Sequence, residues 1–537
     1  MIHHRVLLFV LLCLASAALA GSDDKVSCGL ADSVKSDLGP AWIAGPEFQV
    51  SPLSPGDRVD PGIVIAAGGQ FVVVWSDRRD EGGIFAQRAD RRDAPQDAAF
   101  QLSTTATALL SAPAIAVGPG DDFVVVWGER YRPETYSSIR GRSFSGHESP
   151  MTDEFVIAEA TCSSGPWERC DIVADPAIAA QGGLFVAAWT FEHWDVAGGG
   201  WSILGQRLDR DGRPHQELFN VDGGRSLFYG NSDVAANSVG NFVVAYDFYY
   251  GVNGQAFDSA GERQGYVEVT RMGYLPAVAA DSEGQFIVVW SSRHARSSEG
   301  EVFQRRLTAA GSPVGEATQV NTYTTGNQYR PAVAVAETGV SLVVWQSKAE
   351  PGLEQDGSGS GVFAQFFTST GAPLADEFQV NVTSQLSQGS PAVASDYDGT
   401  FVVVWSSERA DGYTDIMARR LAVSDCVSDA VTLCLNQGRF KVQVSWRDYH
   451  GNGGPGRAAE MTADAGYFWF FTESNVELVV KVLDGRGLND HFWVFAAPLT
   501  NVELTLTVTD TVSGLTREYF QPSGRVASVT DTRAFPG

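Results

Sequence analysis

Phe71-Val72-Val73-Val74-Trp75 returns six more times along this 537-residue chain, with small changes. The copies are Phe123–Trp127, Phe185–Trp189, Phe242–Tyr246, Phe286–Trp290, Ser341–Trp345 and Phe401–Trp405. Measured at the closing aromatic, the spacings are 52, 62, 57, 44, 55 and 60 residues. A long period of this kind marks a repeat architecture. It takes precedence over the three or four domains that length alone suggests.

Around that stretch the unit parses into four short strands. A small-residue strand comes before it: Ile63–Ala66, Pro113–Ala116, Pro176–Ala179, Val234–Ala236, Pro276–Ala279, Pro331–Ala334 and Pro391–Ala394. A strand like Ile84-Phe85-Ala86-Gln87-Arg88 comes after it, and then an outer strand like Glu377-Phe378-Gln379-Val380. Asp211-Gly212, Glu283-Gly284, Ala310-Gly311 and Asp398-Gly399 supply turns between them. Four strands per repeat and seven repeats predict an all-β, seven-bladed β-propeller. Immunoglobulin-like sandwiches need about 100 residues per unit. Phe-Val-Val-Val-Trp is apolar on both faces, as a sheet covered on both sides requires. The small strand suits the crowded place nearest the axis, and its proline stands at the strand start, where a missing N–H costs least.

The seventh repeat has no outer strand of its own, and a spare copy, Glu47-Phe48-Gln49-Val50, stands ahead of the first. This N-terminal strand is predicted to complete the seventh sheet, since two sheet edges would otherwise stay unpaired. Residues 425–537 lack the repeat and hold at least five further strands, among them the alternating Val502–Val508. They predict a C-terminal β-sandwich module. The expected domains are a signal peptide (1–20), a linker (21–45), the propeller (46–424) and the sandwich (425–537).

The repeats resemble the valine-tryptophan and glutamine-arginine repeats of exported bacterial propeller proteins. The tail resembles a module found at the C-terminus of various exported bacterial proteins. The residues that carry the second likeness include Leu433-Cys434-Leu435-Asn436, Val444-Ser445-Trp446-Arg447-Asp448, Gly466-Tyr467-Phe468-Trp469-Phe470 and His491-Phe492-Trp493-Val494-Phe495. Both likenesses imply architecture, and neither implies an activity.

The first 20 residues read as an export signal: a basic start at Arg5, an apolar run Val6–Leu14 and the small-x-small site Ala18-Leu19-Ala20. That run is shorter than the roughly 20 residues of a membrane span. The expected location is therefore secreted, extracellular or periplasmic, without a membrane span. A formal charge of −26 disfavours nucleic-acid binding, which needs cationic side chains to displace counterions, and no nucleic-acid partner is expected. Of the cysteines left after signal removal, Cys162 with Cys170 and Cys426 with Cys434 form the simplest disulfide pairs. Cys28 is then unpaired.

All small strands start at one face, here called the top, and the loops after each aromatic end there. Variable loops on a rigid scaffold are where binding usually lives. The residues just before the inner strands, Asp60, Asp175, Asn231, Tyr274, Tyr329 and Arg330, are expected at the channel mouth, with polarity for a sugar or a cation. They also read simply as capped strand ends. His193, Trp194 and Trp201 stand in the stretch Phe191–Trp201, where a tryptophan pair would stack on a sugar or anchor a protein.

No His-Glu-x-x-His helix, Gly-x-Ser-x-Gly elbow or phosphate loop is present. Asp209-x-Asp211-Gly212 and Asp396-x-Asp398-Gly399 begin like calcium loops but lack the later ligands. No cofactor is expected. Glu354-Gln355-Asp356-Gly357 is an acidic, glycine-rich top loop with scope for weak calcium binding. Three functions follow. The leading one is a non-catalytic, monomeric binding or scaffold protein for an extracellular glycan or protein. The others are a propeller glycosidase or lyase with carboxylates at the mouth, and a structural surface component. Fold does not choose among them.

Overall fold

The computed structural model describes residues 42–536. Left out within that span are 53–55, 67, 79–81, 92, 105–108, 132–135, 146–149, 162–169, 196–197, 224–228, 250, 294–299, 397–398, 425, 427, 437, 490 and 512–513. The export signal, the linker up to residue 41, Cys28 and Cys162 lie outside the described residues.

The chain is almost entirely β, with one helical turn, Arg486–Asn489, among the described residues. Up to Val423 it forms seven antiparallel sheets in a propeller-like arrangement. The first strands of these sheets are Arg58–Ile65, Ala114–Val117, Cys170–Gln181, Tyr229–Ala236, Tyr274–Ala280, Asn327–Val335 and Gln388–Ser395. Each touches the first strand of the next sheet, and the seventh returns to the first.

The repeated hydrophobic stretch is the second strand of every sheet. In the first sheet Phe71, Val73, Val74 and Trp75 are at most 1% exposed, and the other six copies are buried in the same way. Burying each such side chain is worth roughly 1.5–3 kcal/mol, which makes this strand the main source of cohesion between sheets. The third strand carries a small residue opposite the outer-strand phenylalanine. Ala86 faces Phe100, Gly205 faces Phe219 and Ala364 faces Phe378. A Cβ at Gly205 would stand 2.5 Å from the Phe219 ring, so the ring fixes that residue.

The neighbouring glutamine closes the hairpin between third and fourth strands. Gln87, Gln206, Gln255 and Gln365 each donate to the carbonyl ten residues on: Asp97 O, Gln216 O, Gly265 O and Ala375 O. In the Glu-Phe-Gln-Val strands the glutamate ties sheets together. Glu377 accepts from the Thr322 and Tyr323 amides, and Glu47 from those of Val382 and Thr383.

The seventh sheet takes its outer strand from the other end of the chain. Trp42–Gln49 pairs antiparallel with Thr414–Val423, Phe48 opposite Ala418 and Glu47 opposite Arg419. The strand starts at Trp42, ahead of the boundary read at residue 46. Trp42 stacks on Phe378 at 3.7 Å between ring centroids.

Residues 432–536 form two five-stranded sheets. The two share one core, in which Phe440, Val442, Leu504 and Leu506 of one meet Phe468, Val480, Val482 and Val494 of the other. Glu503–Asp510 alternates half-buried and buried residues along its whole length. Cys426 and Cys434 form a disulfide beside this core.

Candidate channel-mouth site

Six first strands break register at the same point, two or three residues before their alanine-rich segment. The shifts fall between Val59 and Gly62, Ala174 and Ala177, Tyr229 and Ser232, Tyr274 and Ala277, Tyr329 and Ala332, and Gly389 and Ala392. Such bulges re-aim a side chain. At five of them a non-glycine residue just before proline has a positive φ: Asp60 (52°), Asp175 (51°), Leu275 (51°), Arg330 (52°) and Ser390 (50°). Left-handed backbone at a non-glycine residue costs of order 1–3 kcal/mol and persists only where the surroundings impose it.

The surroundings are neighbouring sheets. The residue after the repeated aromatic reaches the bulge of the next sheet. Asp247 accepts from the Gly230 and Asn231 amides of its own sheet at 2.7 and 2.8 Å, and from the Leu275 amide of the next at 3.2 Å. Gln346 accepts from the Ser390 amide at 3.3 Å, and Thr190 donates to Gly230 O at 2.9 Å.

The bulges gather side chains from sheets far apart in sequence. Arg330 Nη1 lies 3.4 Å from Asp60 Oδ1 and donates to Ser390 Oγ, which itself donates to Asp60 Oδ1 at 3.2 Å. Arg78 binds the other Asp60 oxygen at 2.7 Å. Asp60, Ser390 and Arg330 come from the first, seventh and sixth sheets, which are consecutive around the circle. Asn231 is held by Asp247, its Nδ2 donating at 3.0 Å.

Asp175 differs: among the described residues no hydrogen bond reaches its carboxylate. The residue is exposed, yet neighbouring protein atoms crowd its carboxyl group. That burial raises its pKa above the usual carboxylate range. Glu192, Asp247 and Asp60 add to the rise and Arg130 opposes it. Tyr329 and Tyr274 are half-buried and stand one residue before the left-handed position. The Tyr329 phenol is pushed up, first by burial and then by Tyr274, with Arg330 opposing.

The stretch Phe191–Trp201 is a hairpin, where an open loop was expected. The strands Leu184–Asp195 and Gly198–Leu208 continue their ladder, with Glu192 opposite Trp201, His193 opposite Gly200 and Trp194 opposite Gly199. His193 Nδ1 lies 2.6 Å from Asp171 Oδ1 on the adjoining strand, so its ring is occupied by its own sheet. Trp201 is half-buried against the core between the third and fourth sheets. Trp194 is placed by its backbone alone. Cys170 opens the third sheet opposite Trp194, and its pairing with Cys162 lies outside the described residues.

Asp209 Oδ1 accepts from the Asp211 and Arg213 amides, which makes that turn a self-contained hairpin. In the acidic loop, Glu354 accepts from the Gly352 amide and Asp356 from that of Ser358. Burial raises the Asp356 carboxyl pKa. A small cleft lined by Val64, Ala66, Gln70, Phe71, Arg88 and Val117 opens at the bottom hairpins, away from the mouth.

No protein-family model matches the chain, and no curated protein matches it. Among solved structures it is similar to a protein of unknown function from Dyadobacter fermentans, with TM-score 0.45 and 9% identity over 72% of this chain and 100% of that one. It is also similar to an α-L-arabinofuranosidase from Fusarium graminearum, with TM-score 0.40 and 10% identity over 62% of this chain and 98% of that one. The lectin BP39L from Burkholderia pseudomallei gives TM-score 0.40 and 13% identity over 64% and 99%. Likeness at this level carries no argument about function.

Proposed function

We propose that this chain is an exported seven-bladed β-propeller with a C-terminal β-sandwich module, and that it acts as a non-catalytic binding protein whose channel mouth takes an extracellular glycan. The convergence at one mouth of Asp60, Ser390, Arg330 and Asp175 on strained backbone carries this reading. A hydroxylated ligand fits a mixed set of donors and acceptors in which one carboxylate still has its lone pairs open. The two tyrosines beside the bulges offer apolar surface with a polar tip. The test is a glycan array probed with residues 21–537, followed by the same array with Asp175→Ala and Arg330→Ala. Binding that both substitutions abolish supports the proposal. Binding indifferent to both, or no glycan bound, counts against it.

A second reading is a glycosidase. It is favoured by one observation: two carboxyls share the mouth in opposite environments, Asp60 ion-paired to two arginines and Asp175 desolvated beside other acids. Environments that separate two carboxyls are how acid and base roles are divided. Hydrolysis of an aryl-glycoside panel that disappears in Asp175→Asn would move the account to this reading.

A further inference from the structure

The seams between sheets repeat the same positions, and the seam joining the seventh sheet to the first is built differently. The residue two places before the left-handed position varies from sheet to sheet, being Val173 in the third and Gly273 in the fifth. In the sixth and seventh sheets this is a neutral amide, Gln328 or Gln388, at most 1% exposed. Each donates to a carbonyl of its own link, Thr325 O at 3.2 Å and Gln385 O at 2.8 Å. In the first sheet the position holds Arg58, 3% exposed.

The Arg58 guanidinium joins three pieces of chain. Nη1 donates to Pro52 O at 2.7 Å and to Ser51 Oγ at 3.3 Å, both in the link that follows the closing strand. The same nitrogen binds Asp415 Oδ1 of the seventh sheet at 2.8 Å, and Nε lies 3.6 Å from Asp77 of its own sheet. Ser51 Oγ also accepts from the Ile416 amide at 3.0 Å. Arg409 reaches the other Asp415 oxygen at 3.3 Å.

Six sheets own their outer strand covalently. The seventh holds Trp42–Gln49 only by hydrogen bonds and packing, so this strand is the one able to leave without the chain unfolding. A buried ion pair adds little net stability, because desolvation offsets the attraction, but separating its partners is costly. That asymmetry suits a latch better than a general stabiliser.

We propose that Arg58 is the latch on ring closure: it pins the link behind the closing strand to the seventh sheet and so keeps Trp42–Gln49 from detaching. The proposal rests on reading the sheets as one closed ring and is independent of what the mouth binds. Hydrogen exchange followed by mass spectrometry on residues 21–537 tests it, comparing wild type with Arg58→Gln and with the milder Asp415→Asn. Both variants should speed exchange of the Trp42–Gln49 amides at least ten-fold, while Phe185–Trp189 and Phe286–Trp290 change less than two-fold. Unchanged exchange in the closing strand overturns the latch. So does equal acceleration in all sheets, and so does failure of both variants to fold, since each makes the network a general structural element.

Discussion

Asp233 stands where the other first strands carry Ala114, Ala177, Ala277, Ala332 or Ala392, or Gly62 in the first sheet. Its carboxylate accepts from the Val234 amide at 2.9 Å and, across the seam, from the Val278 amide of the next sheet at 2.8 Å. The residue keeps some accessible surface, but the carboxyl group itself is enclosed. Enclosure raises its pKa to about 6 from 3.8, against the opposing pull of those two amides. The folded state therefore binds the proton more tightly than the unfolded state. Stability contributed by this group is fully present below pH 3.8 and declines as pH rises to about 6. At about 1.4 kcal/mol per pKa unit, the decline amounts to roughly 3 kcal/mol. Urea unfolding of wild type and Asp233→Ala, followed by tryptophan fluorescence at several pH values between 4 and 7, isolates the effect, because the other carboxyls titrate in both proteins. Relative to the variant, wild type should lose about 2–2.5 kcal/mol across that range, the rest of the decline falling below pH 4. A difference that stays flat with pH, or one that grows in favour of wild type, would refute the argument.

Asp175→Gly removes a Cβ from left-handed backbone and should raise stability by about 1 kcal/mol while abolishing ligand binding, read by urea midpoints and by the array. Gly205→Ala forces a Cβ into the Phe219 ring and should cost about 1–3 kcal/mol in the same unfolding assay. Arg439→Ala strips a cation from Asp510, which is 0% exposed, and should destabilise the C-terminal sheets by about 3–5 kcal/mol. Near-UV circular dichroism of that region during unfolding reports it. Reducing Cys426–Cys434, or replacing both by serine, releases a short loop and should cost about 2–3 kcal/mol by the loop-entropy estimate. Unfolding with and without reductant checks this.

The sheets were legible because Phe-Val-Val-Val-Trp repeats a burial requirement that nothing else satisfies. The closing strand was legible because a Glu-Phe-Gln-Val copy was missing at one end and spare at the other. The mouth was legible only in part. The inner-strand starts pointed to Asp60, Asp175, Asn231 and Arg330, but Ser390, Asp247, Glu192, Arg130 and Arg78 were missed. A signal did exist for Asp247: the residue after each repeated aromatic is small or polar, as in Ser76, Thr190, Ser291 and Gln346. That pattern marks the place where one sheet holds the bulge of the next. Asp60 lies 270 residues from Arg330 and 330 from Ser390, so no local spacing announces their contact. The hairpin at Phe191–Trp201 escaped because Gly198-Gly199-Gly200 reads as a turn, although glycine pairs in a ladder as well as any residue when its partners are already aligned.

The central claim is that ligand enters at the mouth, and a crystal structure of residues 21–537 with the strongest array ligand tests it most directly. The account predicts a sugar against the Asp175 carboxylate and the Arg330 guanidinium, with Asp60 and Ser390 still bonded behind them. A ligand seated on the outer strands, at the bottom hairpins or on the C-terminal sheets, with the mouth unchanged, would contradict it.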